Sequence, residues 1–350
     1  MDVVIFGASG NAGTSLIRAA ATDPTITSIT GVARRLPTTP LPKTRWVSAD
    51  ITKDDLGPLV RGADCVVHLA WLIQPSRDLA TLHATNVTGS RRVFEAVVAE
   101  KVPSLVYASS VGAYSLGPKD HPVDESWPTQ GVSTSFYSRH KAATERMLDA
   151  LEAEHPQLRV VRLRPGLIFK RTSATEQRRL FAGPFVPSPL VRRELVPVIP
   201  DIARLRFQCV HSHDIGEAYR LAVTSDVRGP FNVAADPILD PPRLAELFGA
   251  KLVQMKPRAL YALWSATYKL RLHPTPPGWL DLAFQTPVMD TTRARTVLGW
   301  EPRHSSEEAL LELVRGMHGG AGSDTPPLVE DDLGMRVREV VSGVGRRNPY

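Results

Sequence analysis

Tyr137 and Lys141 stand four residues apart in the run Tyr137, Ser138, Arg139, His140, Lys141. Four residues are slightly more than one helical turn, so on a helix the phenol and the amine share a face and can address one ligand. A phenol ordinarily titrates near ~10 and is a poor base at neutral pH, but a neighbouring positive charge favours the phenolate. Tyr137 is therefore the candidate general acid/base and Lys141 the group that supplies charge. Ser109 and Ser110 close an apolar run upstream, and the hydroxyl of Ser110 is suited to hold the substrate oxygen. Elsewhere, a Tyr and a Lys at this spacing are simply a half-exposed aromatic and a solvated charge, so the elements that position them decide the matter.

Those elements begin at the N-terminus. Asp2 to Phe6 is a short β-branched run, Gly7, Gly10 and Gly13 follow, and Thr14 to Ala21 has a helical pattern. A strand, a tight turn and a helix built this way bring backbone amides and the positive helix end to an anion, and a dinucleotide pyrophosphate is the expected one. Gly7, Ser9, Gly10, Asn11, Ala12 and Gly13 are the expected contacts. A second strand, Ile26 to Ala33, ends in Arg34 and Arg35. An arginine here suits the 2′-phosphate of NADP, where an acidic residue would select NAD. Two solvated arginines are the alternative. Trp46 to Ile51 reads as a third strand. Asp50 and Ile51 are placed to flank an adenine, and Asp50 equally to cap a helix beginning near Lys53.

Ala63 to Ala70 and Ser104 to Ala108 read as buried parallel strands, separated by a helical segment containing Asn86, and Phe136 to Glu152 as a long helix. Strands alternating with helices predict a Rossmann-type, doubly wound, mostly parallel α/β sheet, with Gly7, Arg34, Asp50, Ala70 and Ser110 at its carboxyl ends. The tyrosine and lysine then face a nicotinamide, whose positive ring further favours the phenolate.

Together these residues resemble the extended branch of the short-chain dehydrogenase/reductase family, which includes the NAD-dependent epimerases and dehydratases. The resemblance covers roughly residues 1 to 315. It places Ser110, Tyr137 and Lys141 on the catalytic serine, tyrosine and lysine, and Asn86 on an asparagine that helps place the lysine through water. It also matches His68, Leu69 and Ala70 to the run after the fourth strand, with Trp71 next to it, and Arg164, Pro165 and Gly166 to the turn at the nicotinamide end. His211 to Asp214, Gly229 to Ala234 and Leu298 to Pro302 resemble later landmarks. Val111 and Gly112 stand where dehydratases carry an Asp-Glu pair, so dehydration is not expected. Phe207 stands where many sugar-nucleotide members carry a diphosphate-gripping arginine. Arg206 is one residue away and, on a strand, on the opposite face.

The implied organisation is a dinucleotide-binding domain over 1–165, rejoined by 207–236 and about 291–318, with 166–206 and 237–290 forming a discontinuous substrate lid and 319–350 a flexible tail. Arg178, Arg179, Arg192 and Arg193 in the lid are candidates to hold an anionic substrate, or else solvated surface. His211, His213 and Asp214 invite a metal reading, but no metal is expected, because Asp214 is a natural N-cap for Ile215 to Thr224. Arg258 to Leu272 is helical and unusually apolar. Most of that face is expected to be core, the rest lining an apolar pocket with Trp71 and Trp279, or pressing on a membrane surface or a partner helix.

The 350 residues carry a net charge of +6 with both signs interspersed, which argues against a nucleic-acid binder. Cys65 and Cys209 suit buried reduced thiols. The chain opens on a strand without a leader pattern, and no apolar run reaches the ~20 residues of a membrane span, so a cytoplasmic protein is expected. A homodimer is allowed. The expected function is NAD(P)-dependent hydride transfer, NADP favoured, to or from a carbonyl or secondary alcohol of a small, largely apolar or sugar-like substrate. A nucleotide-sugar 4-epimerase and a catalytically idle NADP-binding sensor or scaffold are the alternatives.

Overall fold

The computed structural model describes residues 1–346. Seven strands form the central sheet: β1 (Asp2–Phe6), β2 (Ser28–Ala33), β3 (Thr44–Ser48), β4 (Cys65–His68), β5 (Ser104–Ala108), β6 (Arg159–Pro165) and β7 (Gly229–Val233). Every pairing is parallel, in the order β7-β6-β5-β4-β1-β2-β3. The order reverses between β1 and β4, and that switch point opens a crevice at their carboxyl ends.

The alternation of β1 explains why both faces are covered. Val3 and Ile5 pack with Leu16 and Ile17 of α1 (Asn11–Ala21), whereas Val4 and Phe6 point to the other face, against Val93, Phe94 and Val97 of α2 (Ser90–Ala99) and Leu148 of α3 (Phe136–Glu154). A strand buried on both faces reads as a continuous apolar run, as β1 and β4 do. On the first face α1 lies tightly against α4 (Ser212–Thr224). A Cβ at Gly216 would stand 2.5 Å from Ser15 O, and the hydroxyls of Ser15 and Ser212 meet at 2.9 Å.

Outside the sheet, strand Val198–Asp201 pairs with Lys251–Gln254, followed by α5 (Pro257–Lys269) and α6 (Gly278–Gln285). Two further helices, α7 (Ser306–His318) and α8 (Leu333–Val341), complete the chain.

Four expectations are corrected. The helix expected near Lys53 begins only at Gly57, with Leu56 and not Asp50 at its N-cap. Asp50 Oδ1 instead accepts from the amide and hydroxyl of Thr52 at 2.9 and 2.7 Å, closing a local turn, and the third strand ends at Ser48. Asp214 is not the N-cap of α4, because the helix starts at Ser212 and His211 Nδ1 caps it through the His213 amide at 3.3 Å. Helix α5, expected to be mostly core, has no buried residue. The tail expected to be flexible is docked: Leu328, Met335 and Val344 are buried, and Glu339 and Asp331 meet the buried guanidinium of Arg178 at 2.7 and 3.2 Å. An unpaired buried arginine would be costly, so the tail's carboxylates bind where the 166–206 segment presents Arg178. The last four residues of the tail, 347–350, lie outside the described residues.

Candidate active site

Gly7, at the end of β1, has φ +81°, and a Cβ there would lie 2.6 Å from Ala70 N, so only glycine allows the β1 and β4 loops to touch. Gly13 packs α1 onto the loop, its hypothetical Cβ 2.5 Å from Ala8 O. Gly10 differs from both. A Cβ there would meet only Gly7 O, at 3.4 Å, leaving an open side above the loop. Gly10 is the N-cap of α1, with no side-chain cap and no acidic residue in the first turn, so no side chain of the helix competes for an anion at its start. This open cradle at a positive helix end fits a dinucleotide pyrophosphate. Ser9 is buried beside it. Asn11 faces the other way, its side chain donating to Ile168 O and accepting from Ser212 Oγ, while Lys170 Nζ reaches Asn11 O at 3.0 Å. Ala12 is half-buried on the same turn.

Arg34 is exposed and Arg35 half-buried just beyond β2. Burial opposes ionisation of Asp50, but the Thr52 hydrogen bonds and the nearby Arg34 charge hold its carboxyl below the usual range. Ile51 is buried, against the place where a Cβ of Gly89 would be. Beyond β4, Leu69 N–H donates to Phe6 O at 2.8 Å, Ala70 abuts Gly7, and Trp71 reaches toward Tyr137 of α3. Asn86 grips this loop through both backbone groups of one residue, accepting from Leu72 N–H and donating to Leu72 O, each at 2.7 Å. Its direct partner is thus the strand-to-helix loop that carries Trp71.

The phenol, the hydroxyl and the amine converge. Tyr137 packs on Gly112, where a Cβ would stand 2.8 Å from Tyr137 Cε1 and 3.3 Å from Ser110 Oγ. Ser110 Oγ accepts from Gly112 N–H at 3.0 Å, and its hydroxyl hydrogen-bonds the Tyr137 phenol. Lys141 is buried, donates to Ala108 O at 2.6 Å and lies 3.6 Å over the ring of Trp71. Ser138, between them on α3, donates to Gly112 O and accepts from Val132 N–H, pinning the helix start to the β5 loop. Pro165 ends β6 at the same edge of the sheet.

The charge balance in the chain alone runs opposite to expectation. Burial pushes the Tyr137 phenol up to about 12, with Ser110 pulling the other way, and burial pulls the Lys141 amine well down, with Glu145 opposing. Desolvation leads both shifts, so the phenol stands protonated.

One element the sequence reading missed is Glu145, eight residues beyond Tyr137 on the same face of α3. Fully buried, it accepts from Ser109 Oγ at 2.5 Å, from Arg164 Nε at 2.9 Å and from Arg162 Nη1 at 2.9 Å. Burial opposes its charge, but Arg164 leads the groups that hold its carboxyl down at about 2. Arg164 continues to Tyr114, whose hydroxyl donates to Asn232 Oδ1 at 2.6 Å. Arg162 and Arg164, at alternate positions among the apolar residues of β6, were the available signal, since a buried charge demands a partner. Glu176, in the 166–206 segment, is a second omission: burial raises its carboxyl to about 7, against Arg179 and Lys170.

Aromatic rings wall the space before Tyr137. Trp279 of α6 lies 5.0 Å from the Tyr137 ring and 5.0 Å from Phe181, and Trp71 lies 5.9 Å from Tyr137. A cavity alongside is lined by Phe136, Trp279, Arg139 and Tyr268 among others. Of the four arginines expected to hold an anion, Arg178 and Arg179 are buried and engaged elsewhere, whereas Arg192 and Arg193 are exposed. Arg178 pairs with the tail, Arg179 donates to Pro327 O and Arg192 to Pro189 O, while Arg193 is exposed. Arg206 donates to Lys119 O and pairs with Asp240.

The histidine cluster is knitted by hydrogen bonds. Side-chain atoms of His211, Asp214 and His304 lie within 4.8 Å of one another. However, Asp214 Oδ2 already takes the amides of Arg303 and His304 and meets His304 Nδ1 at 3.0 Å, while His211 Nε2 meets Glu312 at 3.1 Å. His213, on the adjacent turn, meets Arg18 at 3.2 Å.

The model of the NAD dependent epimerase/dehydratase family matches residues 3–234. An uncharacterized protein of Mycobacterium tuberculosis is 28% identical over 287 residues, 78% of this chain and 72% of its own. The 2-alkyl-3-oxoalkanoate reductase of Shewanella oneidensis is 29% identical over 124 residues, 34% of this chain and 32% of its own. Among solved structures, Thermus thermophilus UDP-glucose 4-epimerase in complex with NAD superposes with TM-score 0.64 at 20% identity, covering 92% of this chain and 100% of its own. MoeE5 in complex with UDP-glucuronic acid and NAD gives TM-score 0.65 at 20% identity, with 91% and 99% covered. These structures share the fold.

Proposed function

The chain belongs to the NAD dependent epimerase/dehydratase family and is an NAD(P)-dependent oxidoreductase or epimerase; from that premise we propose that it interconverts a carbonyl and a secondary alcohol in an uncharged, largely apolar compound, using NADP. The reading rests on one observation above all: the ring of Tyr137 lies on Gly112 beside Ser110 Oγ, under the roof of Trp279, at the carboxyl ends of the strands.

When bound, the nicotinamide supplies or receives hydride. Gly7, Ser9, Gly10, Asn11, Ala12 and Gly13 would hold the pyrophosphate, and Asp50 and Ile51 the adenine. Arg34 and Arg35 would receive the 2′-phosphate, while Leu69, Ala70, Trp71 and Pro165 would border the nicotinamide. Ser110, which hydrogen-bonds the phenol in the chain alone, would turn its hydroxyl to the substrate oxygen. Tyr137, held protonated by burial, gives that oxygen its proton during reduction and recovers it during oxidation. Lys141 is fixed between Ala108 O and the face of Trp71, ready to carry charge once the site holds its ligand. Asn86 keeps Trp71 in place through Leu72. Segments 166–206 and 237–290 act as the substrate lid. Its aromatic walls, and the internal engagement of Arg178 and Arg179, support an uncharged substrate over a nucleotide sugar.

The test is a screen of apolar ketones, aldehydes and nucleotide sugars with NADPH and NADH, followed by nicotinamide absorbance and, for epimerisation, product stereochemistry. Turnover of apolar carbonyls with NADPH and tighter binding of NADP than NAD are expected. Turnover confined to nucleotide sugars overturns the substrate class. Equal or reversed cofactor affinities overturn the NADP assignment.

A further inference from the structure

Residues 247–280 contain no acidic side chain, yet Lys251, Lys256, Arg258, Lys269 and Arg271 all lie within them. From Lys251 to Leu272 no residue is buried, although the stretch is rich in leucine and aromatic residues. In α5 the inward side is Leu260, Trp264 and Tyr268. Trp264 Nε1 donates to Thr275 O at 3.0 Å, and Tyr268 lies 3.9 Å under Arg77 and lines the cavity shared with Trp279 and Phe136. The outward side is Ala259, Ala262, Leu263, Ala266 and Leu270, an uncharged stripe in which Leu263 is 60% and Leu270 70% exposed. Arg258 and Lys269 flank one edge of that stripe. Leu252 and Val253, just before the helix, and Leu272, just after it, are exposed as well. A surface helix normally turns its polar side outward; here the outer side is apolar and bordered by cations.

We infer that α5 and its flanks seat the protein on an anionic lipid bilayer, the outer leucines entering the acyl boundary and the five cations meeting lipid phosphates. A helix of 13 residues rises about 20 Å, short of the ~30 Å hydrocarbon core, so it lies in the interface plane. Charge selects this occupant over a second copy of the chain, since an isologous contact would set five cations against five with no acidic residue in the stretch to answer them. On the inner side of the same helix, Tyr268 lines the cavity that Trp279, the ring neighbour of Tyr137, also lines. This inference does not depend on the catalytic assignment.

The experiment is flotation of the full-length protein with vesicles of phosphatidylcholine alone and of phosphatidylcholine with phosphatidylglycerol, at low and raised salt. The L263S/L270S and K256E/R258E/K269E variants are run in parallel, with thermal melting to check the fold and sedimentation velocity to follow association. Expected are binding to the anionic vesicles, weakening with salt, and loss on the order of a hundredfold in the charge variant at unchanged melting temperature. Failure of the wild-type protein to float with anionic vesicles overturns the inference, as does undiminished flotation of both variants. So does self-association in sedimentation that L263S/L270S abolishes without any vesicle binding, which would mean that a second copy covers the stripe.

Discussion

Helices α3 and α5 both place aromatic and apolar residues beside cations, and the structure treats them in opposite ways. Helix α3 is the more polar in sequence, yet it buries eight residues, including Lys141 and Glu145, whereas the more apolar α5 buries none. What lies opposite makes the difference. Across α3 stand β5 and β6, whose loop hydroxyls, carbonyls and arginines can satisfy every charge it brings inward; across the outer stripe of α5 the described residues place nothing. Apolar content alone therefore did not identify the core helix. Complementary partners did.

The largest effect should come from the chemical end of α3. Tyr137→Phe removes the proton donor while keeping the ring on Gly112 and Trp279, so kcat should fall by about 10²- to 10⁴-fold with NADP affinity nearly unchanged, read by steady-state kinetics and cofactor titration. Retained turnover would remove Tyr137 from its role. Next is the structural end. Glu145→Ala leaves Arg162 and Arg164 buried without their shared carboxylate and should cost about 3–5 kcal/mol in denaturant unfolding. A loss under 1 kcal/mol would mean that the outer carboxylates of Asp149 and Glu152 suffice for Arg162 and that Tyr114 suffices for Arg164.

Acid should probe the same buried half. Burial, aided by Lys141, lowers the His68 imidazole from 6.5 to about 3, so the native state holds it neutral beside Ser90 at 2.8 Å. The stability this contributes is complete above pH 6.5 and is lost as pH falls toward 3, at up to ~1.4 kcal/mol per pH unit. Urea unfolding across that range should show the slope, and a His68→Asn variant should show a shallower one. The smallest effect belongs to α5: Leu263→Ser should shift stability by less than about 0.5 kcal/mol, since no burial is lost. A larger loss in the same unfolding assay would show that the stripe is covered within the protein itself.

Several parts of the site were legible because their signals are local. Gly7, Gly10 and Gly13 are dictated by backbone geometry within one turn, and Tyr137 with Lys141 by the pitch of one helix. Ser110 followed from a strand end. Glu145 was not legible, since its importance comes from Arg162 and Arg164, up to 19 residues further along the chain, brought opposite it by the fold. Likewise Arg178 looked like an anion binder until the tail supplied Glu339, 161 residues away.

By itself the sequence determined the parallel sheet, the glycine loop at its switch point and the face shared by the phenol and the amine, because periodicity and backbone sterics act between near neighbours. The tertiary structure alone decided the protonation balance of Tyr137 and Lys141, the internal use of Arg178 and Arg179 and the exposure of α5. Desolvation and ion pairing depend on what packs across a gap, and no local pattern of residues encodes which distant side chain, or how much water, will fill it.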